Sequence, residues 1–400
     1  MTGLQHLDSM TLVERTLESL RIRRNRILDG QLNCIPSPFK RFSNDFIGIE
    51  QACYYTVTSF TKGGKSQFVS YTFIYKPLMF CYYNNIDIDL KIIYFPLEET
   101  PERIMNRFMS WLLYDFSKGK IRISPRDLRS TTSAVDESVL ELLNSDEIQN
   151  ILKYFEEHII FPKEVGNPTG IYKICRQYAE SRGKVYTKKV KSKDEFGNTK
   201  EVEVFDRYEP NNPNEYILAI IDTINLIDTE RGMTLKQSMD KLSEYCAKYL
   251  RNRYFISPVI IQQQAFEQEG NEAFKLGRVR PSVAGLGDSK YTSRDSNVVL
   301  GLFSPFRFSI KEYEGYDISK FKDNIRFLEM VVNRDGEMGG LCPLYFDGAV
   351  CQFEELPRPD DKEGLQQVYK YLEYLRGRKT NKSFFSFAIK KIVGKLHRWI

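Results

Sequence analysis

Apolar residues recur at helical spacing over residues 8–28, where Leu12, Val13, Leu17, Leu20 and Ile27 make one stripe. Thr11 and Glu14 have the spacing of a capping box, and Asp29-Gly30 supplies a stop. A lone helix cannot bury its own stripe, so this one is expected to dock on its own body or on a neighbouring subunit. The period then changes. Tyr54–Thr58 is a β-rich run, followed by Gly63-Gly64-Lys65-Ser66 and an apolar helical stretch to about Tyr83. Leu90–Phe95, Tyr216–Ile221, Val259–Ile261, Val298–Phe303 and Phe327–Val332 are further short apolar runs that predict buried strands. Helices are predicted from Thr100-Pro101-Glu102 onward, over 136–157, over 170–182 and over 233–252. Apolar strands alternating with helices predict an α/β fold with a mainly parallel sheet covered on both faces.

Two regions break this rhythm. Residues 184–206 are charged and alternating, with Phe196-Gly197-Asn198 between two arms, which predicts a protruding β-hairpin. Residues 357–363 (Pro357, Pro359, Asp360, Asp361) read as a linker before a helix at 363–377 and a basic amphipathic tail at 383–400. That tail is either a partner- or DNA-contacting helix or a terminal helix packed on the domain with a solvated lysine face.

Composition narrows the class. The 400 residues are 42% apolar and 28% charged, so collagen-like, disordered and coiled-coil chains are excluded. A net charge of +5 is too small for binding by bulk charge, so a nucleic-acid site must be a local patch. Seven scattered cysteines without CxxC spacing argue against a zinc knuckle or disulfide framework and for a reducing compartment. Three distant histidines make a multi-histidine metal site improbable. No leader-like apolar core and no bilayer-length apolar run is present.

Four segments carry candidate chemistry. Ser59-Phe60-Thr61-Lys62-Gly63-Gly64-Lys65-Ser66 lies between a predicted strand and helix, the context of a phosphate-binding loop, with Ser59 in place of the first glycine. The alternative is a chance Gly-Gly turn with a solvated lysine. Asp222 ends an apolar strand, where phosphate-loop ATPases place a Mg²⁺-organising carboxylate; a turn or helix-capping aspartate is the rival reading. Glu98 follows the second strand and can activate water, or simply starts a helix, as Glu99 and Glu102 are expected to do. Gln264 follows the strand Val259–Ile261, where a neutral amide can sense a γ-phosphate or be polar surface.

Taken in this order, the segments resemble the ATPase domain of hexameric replicative DNA helicases of the DnaB type, with its RecA-like P-loop NTPase fold. The resemblance runs from about Cys34 to Phe353 and includes Ile35–Phe42 before the first core strand, Phe95–Glu98, Ile220–Leu226 and Ser257–Gln264. It also includes Arg280–Val299, similar to the family's central DNA-binding loop and next strand, and Asn333–Gly339, similar to the motif supplying its arginine finger. The resemblance implies that Gly63, Gly64, Lys65, Ser66 and Gln67 hold ATP, with Ser66 and Asp222 on Mg²⁺. It implies that Glu98 orients water, Gln264 reports γ-phosphate loss, and Arg334 reaches a neighbour's site. Gly287, Asp288, Lys290 and Arg294 would belong to a pore loop on single-stranded DNA.

Departures from the family pattern are Thr223 in place of an aromatic residue, Val332 in place of a second basic residue near the finger, and Gly287 in place of a pore arginine. About 33 residues precede the ATPase domain, so the family's N-terminal collar is expected to be missing. The expected organisation is a docking helix at 1–33, a RecA-like ATPase domain at 34–356 with an inserted hairpin at 184–206, and a basic helical tail at 357–400. The resemblance implies an ATP-dependent helicase or translocase acting in DNA replication. It would work as a homo-oligomeric ring, probably hexameric, in the cytoplasm of a bacterial or phage-infected cell, with a primase or helicase loader as partner. Rival readings are a non-hydrolytic ATP-switched scaffold and a RecA-type recombinase filament.

Overall fold

The computed structural model describes residues 11–193, 199–265, 279–287 and 291–377. The predicted helix near the N-terminus is α1 (Leu12–Leu28), with the Thr11/Glu14 capping box formed as expected. Among the described residues, nine strands make the main sheet. They are β1 (Tyr55–Ser59), β2 (Asp89–Pro96), β3 (Ile159–Ile160), β6 (Glu215–Asp222), β7 (Ser257–Gln263), β8 (Val298–Phe303), β9 (Ile325–Asn333), β10 (Leu341–Asp347) and β11 (Gln352–Glu355). The hairpin strands β4 (Gly183–Lys193) and β5 (Thr199–Pro210) pair only with each other. Across the sheet the order is β11, β10, β9, β8, β1, β7, β6, β2, β3. Strands β8 through β3 in that order are mutually parallel, and β8–β9, β9–β10 and β10–β11 are antiparallel.

The parallel strands are apolar on both faces because both faces are covered. All eight residues of β6 are buried. Alternate side chains go to opposite sides of the sheet. Ile92, Tyr94, Leu218, Ile220, Val259 and Ile261 join the first core. There they meet Phe68 and Leu78 of the helix after β1, Trp111 of α4 (Pro101–Phe116) and Phe155 of α5 (Asp146–His158). Ile93, Phe95, Ala219, Ile221 and Ile260 join the second core, with Cys175 of α6 (Pro168–Ser181) and Leu242 of α7 (Leu235–Tyr245). A third core lies under the antiparallel strands and takes Leu365 and Leu372 of α8 (Lys362–Gly377).

The helix after β1 runs as α2 (Lys65–Val69), a wide π turn (Ser70–Tyr75) and α3 (Lys76–Tyr83). Pro77 has no N–H for the carbonyl four residues back, and the turn before it widens. The stretch 136–157, predicted as one helix, is two, Glu137–Leu143 and α5, because Ser145-Asp146-Glu147 starts a new helix. Strand β9 is antiparallel to β8, and β10 and β11 extend that side of the sheet. Strands joined without an intervening helix must reverse direction, and Pro343 inside β10 hides it in the sequence. The hairpin is present and longer than 184–206, with Lys189 opposite Glu203 and Lys191 opposite Glu201. Its turn at 194–198 and the tail at 383–400 lie outside the described residues. No helix among the described residues is long and apolar enough to cross a membrane.

Candidate functional site

The parallel strands all end at one edge of the sheet, where a crevice between connecting loops is the usual ligand position. Residues 60–64 turn there from β1 into α2. Gly64 has φ +98°, left-handed backbone that a side chain disfavours. A Cβ on Gly63 would collide with the Ser59 hydroxyl. The residue that replaces the motif's first glycine therefore packs against the motif's last pair. The Lys65 ammonium reaches back to the main-chain oxygens of Ser59 (3.4 Å) and Phe60 (3.3 Å), which keeps a cation inside the loop.

Next to it, the Ser66 hydroxyl donates to Asp222 Oδ1 at 2.9 Å. Residues 156 apart in sequence meet because β6 ends two strands from β1, with β7 between them. Tyr94 Oη donates to Asp222 Oδ2 at 2.8 Å, so both carboxylate oxygens are engaged. Burial raises the Asp222 carboxyl pKa above its ordinary value; the Tyr94 and Ser66 hydrogen bonds oppose that, and the charge of Glu98 adds to it. Glu98 is exposed just beyond β2. Its neighbour Glu99 is tied to Arg107 on α4 in an ion pair, as a helix-start residue would be. Gln67 donates to the Gly348 carbonyl at 3.1 Å, and its own buried Oε1 lacks a hydrogen-bond partner.

Gln264 is buried and turned to the far side of β1. Its amide donates to Thr58 Oγ1 (2.8 Å) and to the Ser282 carbonyl (3.2 Å), so it bridges β1 and the segment 279–287. The adjacent Gln263 is the glutamine that reaches the loop, through Thr61 Oγ1. Gly287 has φ +55°, and a Cβ there would lie 2.8 Å from that of Ala265. No arginine fits that position without a shift of the backbone. Asp288 and Lys290 lie outside the described residues.

Arg334 follows β9, so it leaves the sheet at the end opposite Lys65. Asn333 pairs with Val298 at the start of β8, and Phe327 pairs with Phe303 at its finish. Arg294 is beside Arg334, which donates to its carbonyl oxygen, rather than beside Gly287. The Arg294 guanidinium stacks 3.8 Å over Tyr291 and donates to Asp295 at 3.0 Å. Arg251 is close enough for Arg334 to lower its pKa, in addition to the larger effect of burial. Three guanidinium groups therefore gather at this second edge.

Three residues of the site were missing from the sequence reading: Tyr94, Gln263 and Arg326, whose Nε donates to the Gly63 carbonyl at 2.8 Å. None belongs to a local motif. Each arrives through strand register, for which the sequence carries no local signal.

Strand order, loop and paired Ser66 and Asp222 together define a RecA-like P-loop NTPase fold. No family model matches the chain, and no curated protein sequence matches it. Among solved structures, the chain is similar to the ATPase domain of a DnaB-like helicase, with TM-score 0.58 and 14% identity over 87% of this chain and 100% of that one. It is also similar to a DnaB-like replicative helicase solved for its interactions with primase, with TM-score 0.57 and 15% identity over 84% of this chain and 65% of that one. This chain therefore spans just under two thirds of the second structure's length. At these identities the likeness is one of fold, and the fold is that of DnaB-type ATPase domains.

Proposed function

We propose that the protein is an ATP-driven translocase on single-stranded DNA, the motor of a replicative helicase that works as a homo-oligomeric ring. The observation that carries this reading is the pairing of Ser66 with Asp222 beside Lys65 at the carboxyl edge of the sheet. A small hydroxyl and a buried carboxylate there fit Mg²⁺, and a lysine held within a glycine loop fits β- and γ-phosphate oxygens. Mg²⁺ bound at Ser66 and Asp222 would neutralise charge on those oxygens. The loop amides around Gly63 and Gly64 cradle the phosphates, Gln67 lies in the next turn, and Glu98 orients the attacking water. Gln264 links β1 to the segment 279–287, so a change at the loop is felt where DNA is held. Residues Gly287, Asp288, Lys290 and Arg294 follow that segment toward the strand β8.

Completion of the site needs a second copy. Arg334 is at the wrong end of the sheet for its own loop, and supplied by a neighbour it would stabilise the transition-state charge, an effect of about 10³–10⁵ in rate in related chemistry. Helix α1 supplies the matching surface. None of its residues is buried, and Leu12, Val13, Leu17 and Leu20 lie open along it, as expected of a helix that docks on a neighbour. A DnaB-like relative is described with primase, and a primase or a loader is the corresponding partner class here.

The test is ATP hydrolysis by the purified protein with and without single-stranded DNA. DNA is expected to stimulate turnover, and Lys65→Ala is expected to lower it by about 100-fold or more. No hydrolysis with any nucleic acid would sink the proposal.

A further inference from the structure

Arg326 lies on β9 and is 1% exposed. Its guanidinium is 4.4 Å from the centre of the Phe346 ring. Nη1 donates to the carbonyls of Asp323 and Ile325, both at 2.8 Å, and Nη2 donates to the Asp323 carboxylate at 3.0 Å. Nε donates to the carbonyl of Gly63 at 2.8 Å. The Asp323 side chain is 61% exposed, so its charge compensates the buried cation only in part. A hydrophobic residue would fill this space at lower cost, which makes the contact to Gly63 the feature in need of a reason.

The reason lies in the peptide plane. The Gly63–Gly64 bond is trans, so its C=O and N–H point in opposite directions. Two successive glycines let this plane flip at little steric cost. The flipped form would turn an oxygen toward any anion in the loop. We propose that Arg326 is a positioning residue for the phosphate loop: by holding the Gly63 carbonyl, it keeps the Gly64 N–H pointed at the diphosphate of a bound nucleoside di- or triphosphate. This rests on the nucleotide reading of the loop.

The measurement is ADP affinity by calorimetry together with KM and kcat for ATP, on the full chain, for wild type, Arg326→Lys and Asp323→Ala. Lysine keeps the charge and loses the fixed planar donor set. Arg326→Lys is expected to weaken ADP binding and raise KM by about 10- to 100-fold, the value of a lost charged hydrogen bond, with kcat at saturation nearly kept. Asp323→Ala, at an exposed side chain, is expected to fold and to weaken ADP binding by about 2- to 5-fold through a looser guanidinium. A lower Tm for Arg326→Lys with unchanged ADP affinity would mean a purely structural arginine and would overturn the proposal. Should Arg326→Lys fail to fold, unchanged affinity in Asp323→Ala overturns it instead. Absence of ADP binding by wild type removes the nucleotide reading, and this proposal with it; binding by wild type and equally by the variants removes this proposal alone.

Discussion

Asp222 holds the two halves of the site together, accepting from Ser66 on one oxygen and Tyr94 on the other. Its pKa is raised in the folded state, chiefly by burial. The folded protein therefore binds more protons than the unfolded chain between the ordinary carboxylate value and the raised one. Stability contributed by this group is present below that window and falls as pH rises through it, by at most about 1.4 kcal/mol per pH unit for one proton. Asp222→Asn is expected to remove this component, seen as the difference between wild-type and mutant Tm across the acidic range, and to abolish Mg²⁺-dependent turnover. An unchanged difference across that range would contradict the assignment of the raised group. Lys65, Ser66 and Asp222 were legible in the sequence because each sits at a strand end beside glycine or a predicted helix. Tyr94 was not: it meets Asp222 as a diagonal neighbour, since Tyr94 registers with Ile220 two residues earlier on β6. Gln264 was legible as a polar residue after a strand, but which of three consecutive glutamines faces the loop depends on the pleat.

At the scale of elements, α1 is an amphipathic helix without an amphipathic environment. Its base is fixed: Arg26 bonds Asp87, Asn214, Asn33 and the Leu32 carbonyl. The rest of the helix presents Leu17 at 48% and Leu20 at 58% exposure. Burying each such leucine against a partner is worth about 1.5–3 kcal/mol. Leu17→Glu with Leu20→Glu is expected to leave the protomer's Tm nearly unchanged and to dissociate the assembly in sedimentation velocity. A large fall in Tm would show that the stripe packs on its own chain. The helix itself was legible down to its capping box, because cap and stripe are both local. Its lack of a home was not, since burial depends on everything else in the fold. The hairpin β4–β5 was legible for a similar reason, and its facing lysines and glutamates hold its register without help from the core.

For the whole molecule, the geometry of the sheet separates Lys65 from Arg334. On the proposed reading, Lys65→Ala and Arg334→Ala chains are each inactive, yet a site between them is whole when an intact loop meets an intact arginine. An equimolar mixture is expected to recover about a quarter of the wild-type ATPase rate, the share of random pairings that unite the two. No recovery on mixing would place Arg334 outside the neighbour's site. The parallel part of the sheet was legible from apolar runs alternating with helices; the antiparallel margin was not, because direction is a property of connections and the β9–β10 turn holds no helix. That reversal has a consequence of its own. A ninth strand laid in parallel would have delivered Arg334 to the same edge as Lys65 and left every chain self-sufficient. Laid the other way, it makes a solitary chain half an enzyme, so specific activity should climb with protein concentration and collapse on dilution.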